Sequence, residues 1–303
     1  MNTAVAAKPL HRRKSPIGQI CLNLFFILLC LCYVLPMLLV ISISFEGNSS
    51  QFFSLVPRDF TLAAYKLVFA RPQKILNAYA VTAFSSVVGT LWSLAVMMMF
   101  AYALSKRDFK YRNFFTFMLF FTTLFSGGMV PSYLVNTQLL HLGNKIWIYI
   151  VPGLINAWNV IVIRTFFQGL PNELYEAAHL DGASELRICF QIVLPLSTPA
   201  LASVGFLGFI DRWNNWSTAQ VYIRNPDLYS LQYLLKIILD SEESMKQMIE
   251  AGQIASGEAE KQLNNLESMR FAMAVVAAGP MCFVFPFFQK YFAKGLTLGS
   301  VKG

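Results

Sequence analysis

Acid–base, nucleophilic or metal chemistry needs several titratable side chains held close together, and this 303-residue sequence, only 13% charged, supplies few of them. Its three histidines, His11, His141 and His179, are far apart, and none belongs to a His-Glu-x-x-His pair. The five cysteines, Cys21, Cys30, Cys32, Cys189 and Cys282, lie in or beside apolar runs without a Cys-x-x-Cys spacing, so they read as small packing residues. No metal centre is expected. No Gly-x-x-x-x-Gly-Lys-[Ser/Thr] loop occurs either, so the chain is not expected to hydrolyse ATP by itself.

The densest polar constellation is mechanical in kind. It runs from Leu170-Pro171-Asn172-Glu173-Leu174-Tyr175-Glu176-Ala177-Ala178-His179-Leu180-Asp181-Gly182-Ala183-Ser184 on to Ile192-Val193-Leu194-Pro195. The good formers Glu, Leu and Ala predict a short helix from about Pro171-Asn172, stopped at Asp181-Gly182, where Gly takes a left-handed cap; a second turn starts at Ser184. Ala177 and Ala178 offer a face for close approach, Glu176 a charge, and Gly182 a sharp reversal. Such a hairpin is either a handle for another protein or an ordinary amphipathic connector.

Two further groups suit sugar contact. Asp211-Arg212-Trp213-Asn214-Asn215-Trp216 combines aromatic faces with amide and carboxylate hydrogen bonding, although Trp and Arg also mark a membrane interface without any ligand. Asn156, Trp158 and Asn159 fall near the middle of an apolar run, where unpaired amides are costly, so they face either a watery pathway or another helix.

The elements that must position these groups are membrane spans. Hydrophobic residues make up 56% of the chain, and the mean hydropathy is +0.51. A spanning helix needs about 20 apolar residues for roughly 30 Å of hydrocarbon. Six runs qualify: Ile20–Ile43, Ala78–Leu104, Phe114–Val135, Ile146–Phe167, Phe190–Phe209 and Phe271–Phe288. Arg164 is their one charged residue. The first run is too long for a signal h-region and is expected to remain as an anchor. The fold class is therefore an all-α polytopic membrane protein with six transmembrane helices.

The net charge of +8 does not indicate nucleic acid, because the Lys and Arg residues sit in short clusters between apolar runs. Membrane topology accounts for those clusters. Lys8, Arg12, Arg13 and Lys14, then Lys106, Arg107, Lys110 and Arg112, then Lys290, Lys294 and Lys302 all fall on one side, which the positive-inside rule makes cytoplasmic. Both termini are expected there. On the other side, Ser230–Ala251 carries Leu231, Leu234, Leu235, Ile238 and Leu239 at helical spacing and predicts an amphipathic helix, and Gly252–Asn265 a solvated helix or loop. The chain divides into residues 1–76, comprising the N-terminal tail, first span and external loop, and residues 77–303, the transmembrane domain. The latter includes a cytoplasmic loop at 170–190 and an external insertion at 217–270.

The spacing Glu176-Ala177-Ala178, three residues, Gly182, nine residues, Ile192, one residue, Leu194-Pro195 resembles the EAA loop of ABC-importer permeases. The likeness extends from about Asn77 to the C-terminus. Ala101-Tyr102-Ala103-Leu104-Ser105, Asp181-Gly182-Ala183 and the tail Lys294–Gly303 are similar to the maltose-type carbohydrate-uptake branch. Gly127-Gly128-Met129-Val130-Pro131 and Phe209–Trp216 look like permeases for complex oligosaccharides.

The resemblance implies a type I importer permease (MetI-like) fold in a bacterial cell membrane, and Glu176, Ala177, Ala178, Asp181, Gly182, Ile192, Leu194 and Pro195 as the ATPase-coupling set. It implies a second permease subunit in a heterodimer, two cytoplasmic ATPase subunits holding ATP and Mg, an extracytoplasmic solute-binding protein and a carbohydrate substrate. The chain itself needs no cofactor. Membrane lipid surrounds it, and no nucleic acid partner is implied. A non-sugar cargo for the same machinery is the nearest alternative; a membrane-embedded enzyme is the more distant one.

Energy is expected from a partner, because a proton- or sodium-coupled carrier commonly shows ionisable residues or broken helices at mid-membrane depth, and these runs read as nearly free of both. Pro195 and Pro199, each of which removes an amide donor from the helix ladder, read either as bending points or as entry signals at a helix start. In the maltose-type branch a comparable tail reaches between the ATPase subunits. Deleting Thr297–Gly303 should therefore leave membrane insertion intact and uncouple ATP hydrolysis from substrate, as read by ATPase rate with and without substrate in liposomes; unchanged coupling would mark the tail as a frayed end.

Overall fold

The computed structural model describes residues 16–46, 55–57, 59–252 and 256–299. The basic cluster His11–Lys14 and the last residues, Ser300–Gly303, lie outside them. Among the described residues the structure is helical, with one isolated antiparallel bridge between Glu46 and Phe60.

Helix α1 (Pro16–Ser44) is apolar all round, exposes nearly its whole length and packs chiefly on the last helix. After the short α2 (Ala63–Val68), α3 (Pro72–Ser105) runs unbroken for 34 residues, about 50 Å and thus longer than the hydrocarbon is thick. The next segments are α4 (Arg112–Leu124), α5 (Met129–Leu134) with a π-helical turn over Val135–Leu139, 3₁₀ turns over Ile146–Tyr149 and Val151–Gly153, and α6 (Ala157–Gln168). The hairpin α7 (Asn172–Leu180) and α8 (Glu185–Ile188) leads through a π-helical turn, Cys189–Val193, to α9 (Leu194–Leu196) and α10 (Thr198–Trp213). The chain closes with α11 (Ser217–Tyr222), α12 (Leu231–Glu250) and α13 (Ser256–Gly299).

All six apolar runs are present, but three of them are not the continuous helices expected. Among the described residues, Gly18–Ser44, Pro72–Ser105 and Lys261–Gln289 are long and apolar enough to cross a membrane alone. The other three are bent pairs: 117° between Arg112–Leu124 and Met129–Leu139, 49° between Ile146–Gly153 and Ala157–Gln168, and 80° between Glu185–Leu196 and Thr198–Trp213. The expectation of spans nearly free of breaks is thereby corrected. The causes are local. Gly128 takes φ +84 at the first bend, which only Gly adopts without strain, and at the third Pro195 and Pro199 flank Ser197 and remove amide donors.

A broken helix in hydrocarbon leaves polar backbone groups that must find partners inside the protein. At the 49° bend, Ser93 Oγ on α3 donates to the Leu154 carbonyl at 2.8 Å, and Arg212 Nη2 on α10 donates to the Gly153 carbonyl at 2.6 Å. At the 80° bend, Thr198 Oγ1 donates to the Pro195 carbonyl at 2.8 Å. At the 117° bend, Ser132 Oγ donates to the Gly128 carbonyl at 2.7 Å, and Ser126 Oγ accepts from the Gly128 amide.

Helix α3 is the column around which the rest packs, with α10 and α6 along its length. Thr82, Ser85, Ser86, Gly89, Thr90 and Ser93 recur at helical spacing on its buried side, and such small residues let neighbouring helices approach closely. One apolar core lies at the hairpin end and includes Met98, Ala101, Leu104, Ile163, Phe167 and Ile188. A second, at the opposite end, gathers Ala78, Phe209, Trp213, Leu231 and Met273.

The amphipathic helix expected over Ser230–Ala251 is observed as α12, and its N-cap Ser230 Oγ accepts from the Tyr233 amide. The stretch read as a solvated helix or loop turns back at Gly252, φ +65, and from Ser256 already belongs to α13. The two helices are clamped through Glu242, 3% exposed, which receives Lys246 and Arg270 at 2.7 Å each. Its hydrogen bond raises the pKa of Lys246 above the ordinary lysine value, with Glu267 adding to the effect. Replacing Ser93 by Ala strands the Leu154 carbonyl beside the bend and should cost about 1–3 kcal/mol, seen as a lower temperature of aggregation in detergent; an unchanged value would show that the bend needs no donor from α3.

Candidate functional site

The hairpin is built as its residue types dictate. Glu173 stands in the first turn of α7, where a negative charge suits the helix dipole. At its end the Gly182 amide donates to the His179 carbonyl and the Ala183 amide to the Ala178 carbonyl, both at 3.0 Å, while Gly182 takes φ +70. This is the Schellman closure that a C-terminal Gly permits. Ser184 then caps α8 by accepting from the Arg187 amide.

Helical periodicity sorts the motif into two faces. Tyr175 and Ala178 turn inward, Ala178 into the core at the hairpin end. Glu173, Glu176, Ala177 and Leu180 are exposed, Leu180 at 89%. Asp181 is exposed at the C-cap, Ile192 and Leu194 pack against the same core as Ala178, and Pro195 is exposed next to the 80° bend.

What fastens the hairpin is Glu185, a residue the sequence reasoning passed over. Its Oε2 accepts from the Tyr102 hydroxyl at 2.5 Å and from Lys106 Nζ at 3.0 Å, and its Oε1 lies 3.3 Å from His179 Nε2. Lys106 in turn sits over the rings of Tyr102 and Tyr175, 4.8 and 4.4 Å from their centroids, cation–π contacts that add to the ion pair. Burial raises the pKa of the Tyr175 hydroxyl, with Cys189 and Glu185 contributing, so it stays a neutral donor to the Phe167 carbonyl. One carboxylate thus joins α7, α8 and the last turn of α3. Tyr102 in the last turn of α3 and Lys106 at its C-cap are close in sequence, which was legible; their meeting with Glu185, 83 residues from Tyr102, was not.

The second candidate set is only partly brought together. A cleft of about 560 Å³ between α3, α10 and the 49° bend is lined by Asn156, Asn159, Asp211, Arg212 and Asn215, joined by Thr90, Ser93 and Thr218. Asn156 is not inside a continuous span as its run suggested: it is the N-cap of α6, its side chain accepting from the Asn159 amide at 3.1 Å. Arg212 crosses the face of α3 at Gly89, where an added Cβ would stand 2.8 Å from its Nε.

Trp213 points the other way, 4% exposed in the second core, with its indole Nε1 donating to the Ala277 carbonyl at 3.0 Å. Asn214 bonds to the Ile210 carbonyl and to Gln232, and Trp216 lies under Lys236. Trp158 is 68% exposed on the outer surface. Thr90 and Ser93 went unnoticed, although the hydroxyl stripe of α3 was visible in the spacing.

The described geometry is that of a membrane bundle with a gripped hairpin at one end and a polar cleft at the bends of its spans. The family described as the binding-protein-dependent transport system inner membrane component matches residues 79–298, and the chain belongs to it. It is therefore a multi-pass membrane subunit of an ABC importer, a transport component and not an enzyme.

Among its relatives, the polygalacturonan/rhamnogalacturonan transport system permease protein YtcP of Bacillus subtilis (strain 168) is 39% identical over 283 residues, covering 92% of this chain and 96% of that protein. Protein LplC of the same organism is 37% identical, covering 89% and 90%. A solved chain of a bacterial ABC transporter involved in the import of the acidic polysaccharide alginate superposes with a TM-score of 0.76 at 30% identity, over 94% of this chain and 100% of that one.

At Gly182 a side chain meets no neighbour within 4 Å, yet φ is +70, so Gly182→Val costs about 1–2 kcal/mol of backbone strain confined to the hairpin turn. The expected result is normal membrane insertion with reduced transport in reconstituted liposomes; full transport would separate the turn from function.

Proposed function

We propose that this chain is the translocation subunit of an importer that moves a carbohydrate, most simply an oligosaccharide, into the bacterial cytoplasm. Its partners are a second permease subunit, two cytoplasmic ATPase subunits that hold ATP and Mg, and an extracytoplasmic solute-binding protein. The hairpin end is the cytoplasmic one, and both termini lie there; the basic residues Lys106, Arg107, Lys110 and Arg112 beside the hairpin support this orientation.

The observation that carries the reading is the three-way fastening of Glu185. Exposed Glu176, Ala177 and Leu180 give an ATPase subunit a surface to grip. Because Glu185 ties both arms of the hairpin to α3, a pull on that surface turns α3 and its neighbours instead of bending a loose connector. The strain is taken up where α6 and α10 are already broken, and there the polar cleft lies. Closure of the ATPase subunits on ATP thus reopens the pathway outward.

Carbohydrate as cargo is supported by the named relatives and by the cleft, whose amides, hydroxyls and adjacent Asp211 and Arg212 match the hydrogen bonding of a polyol. Glu185→Gln weakens the tie to Lys106 and His179 while keeping the side chain's shape. In liposomes holding the assembled importer and its binding protein, this variant should hydrolyse ATP but import labelled oligogalacturonide several-fold more slowly than wild type. Equal import would overturn the coupling role, and wild-type import of an amino acid in preference to the sugar would overturn the cargo.

A further inference from the structure

Two arginines at the hairpin end, on neighbouring helices, have no partner of opposite charge among the described residues. Arg112 is the first residue of α4, and Arg164 stands in the last part of α6, which packs against α4. Arg164 Nη1 donates to Thr116 Oγ1 at 3.1 Å, and that hydroxyl donates to the Arg112 carbonyl at 2.6 Å, so the Arg164 guanidinium is held against the first turn of α4, the turn that Arg112 begins. Neither is ion-paired with a described carboxylate. The Nε of each is buried and meets no described acceptor. Asp108, Glu176 and Glu185 line the cavity that Arg112 shares, yet none comes within ion-pairing distance of it.

Placing two cations together at the edge of a low-dielectric medium costs both desolvation and repulsion, and an anion seated between them removes both. The α4 N-terminus favours an anion through the helix dipole, and its first turn carries no acidic residue. The rest of α4 describes the attached group: Phe114, Phe117, Phe121 and Leu124 are all exposed, so an apolar strip rises from the arginines along the bundle's surface. Lys106, Arg107 and Lys110 in the adjoining loop place the pair at headgroup level. Basic pockets between spans on this side suit anionic lipid headgroups.

We propose that Arg112 and Arg164 form a binding site for the phosphate of an anionic membrane phospholipid, whose acyl chains lie along the phenylalanine face of α4. The site rests on the orientation proposed above and lies apart from the sugar cleft, while Arg112 also lines the cavity beside Glu185 without pairing with it. The assembled importer, purified in detergent and supplied with phosphatidylglycerol, should retain that lipid in native mass spectrometry. Arg112→Gln together with Arg164→Gln should weaken retention about tenfold or more, whereas Arg112→Lys with Arg164→Lys should keep most of it.

Unchanged retention in the glutamine variant overturns the site. So does equal retention of phosphatidylcholine and phosphatidylglycerol by the wild type, a comparison that needs no variant to assemble. Displacement of the lipid by equimolar inorganic phosphate would mark a free-anion site, and loss of the ATPase subunits with lipid retention unchanged would mark a protein contact; either rejects the proposal.

Discussion

A backbone carbonyl without a donor is tolerable in water and costly in hydrocarbon, and this constraint governs the whole bundle. Three of its apolar runs are broken, so their freed backbone groups must be met from within the protein. Helix α3 can meet them because it is itself unbroken and carries hydroxyls where a lipid-facing helix would carry Leu or Ile. Ser93 serves the bend before α6, and Thr82 Oγ1 accepts from the Leu231 amide at the start of α12. The bends that lie beyond its reach carry their own donors, Thr198 and Ser132.

The same economy explains Arg212. A guanidinium in a membrane span is expensive unless its donors are used; here Nη2 and Nη1 reach the Gly153 and Gly208 carbonyls, Nε is buried without a described acceptor, and Gly89 leaves room for the side chain to cross α3. The residue holds the two broken spans together at the cleft while still presenting charge to it. At the other end Glu185 plays the matching part for the hairpin, and Glu242 does so between α12 and α13. Each fixes separate helices through a single charged group with partners from more than one element.

Much of the candidate site was readable from residue types. The turn at Gly182, the short helix over Asn172–Leu180 and the restart at Ser184 follow from local rules, since each depends on contacts within a few residues. Ala177 and Ala178 were read together as a face for another protein, but only Ala177 is exposed and Ala178 turns into the core, because a nine-residue helix does not reveal which side its neighbours occupy. For the cleft, composition grouped Asp211–Trp216 as one unit, whereas successive residues at the end of α10 and just beyond it point in different directions; Trp213 therefore enters the core while Arg212 and Asn215 line the cleft.

By itself the sequence determined that the chain crosses a membrane several times, where the apolar runs begin and end, and which loop carries the hairpin, because hydropathy, length and helix-stop signals act locally. Only the tertiary structure decided that three of those runs bend, that Glu185 meets Tyr102 and Lys106, and that the amides near Asn156 share a cleft with Arg212. A break is tolerated or forbidden according to whether a distant helix supplies the missing donor, as Ser93 does across 61 residues, and no local window of sequence contains that partner.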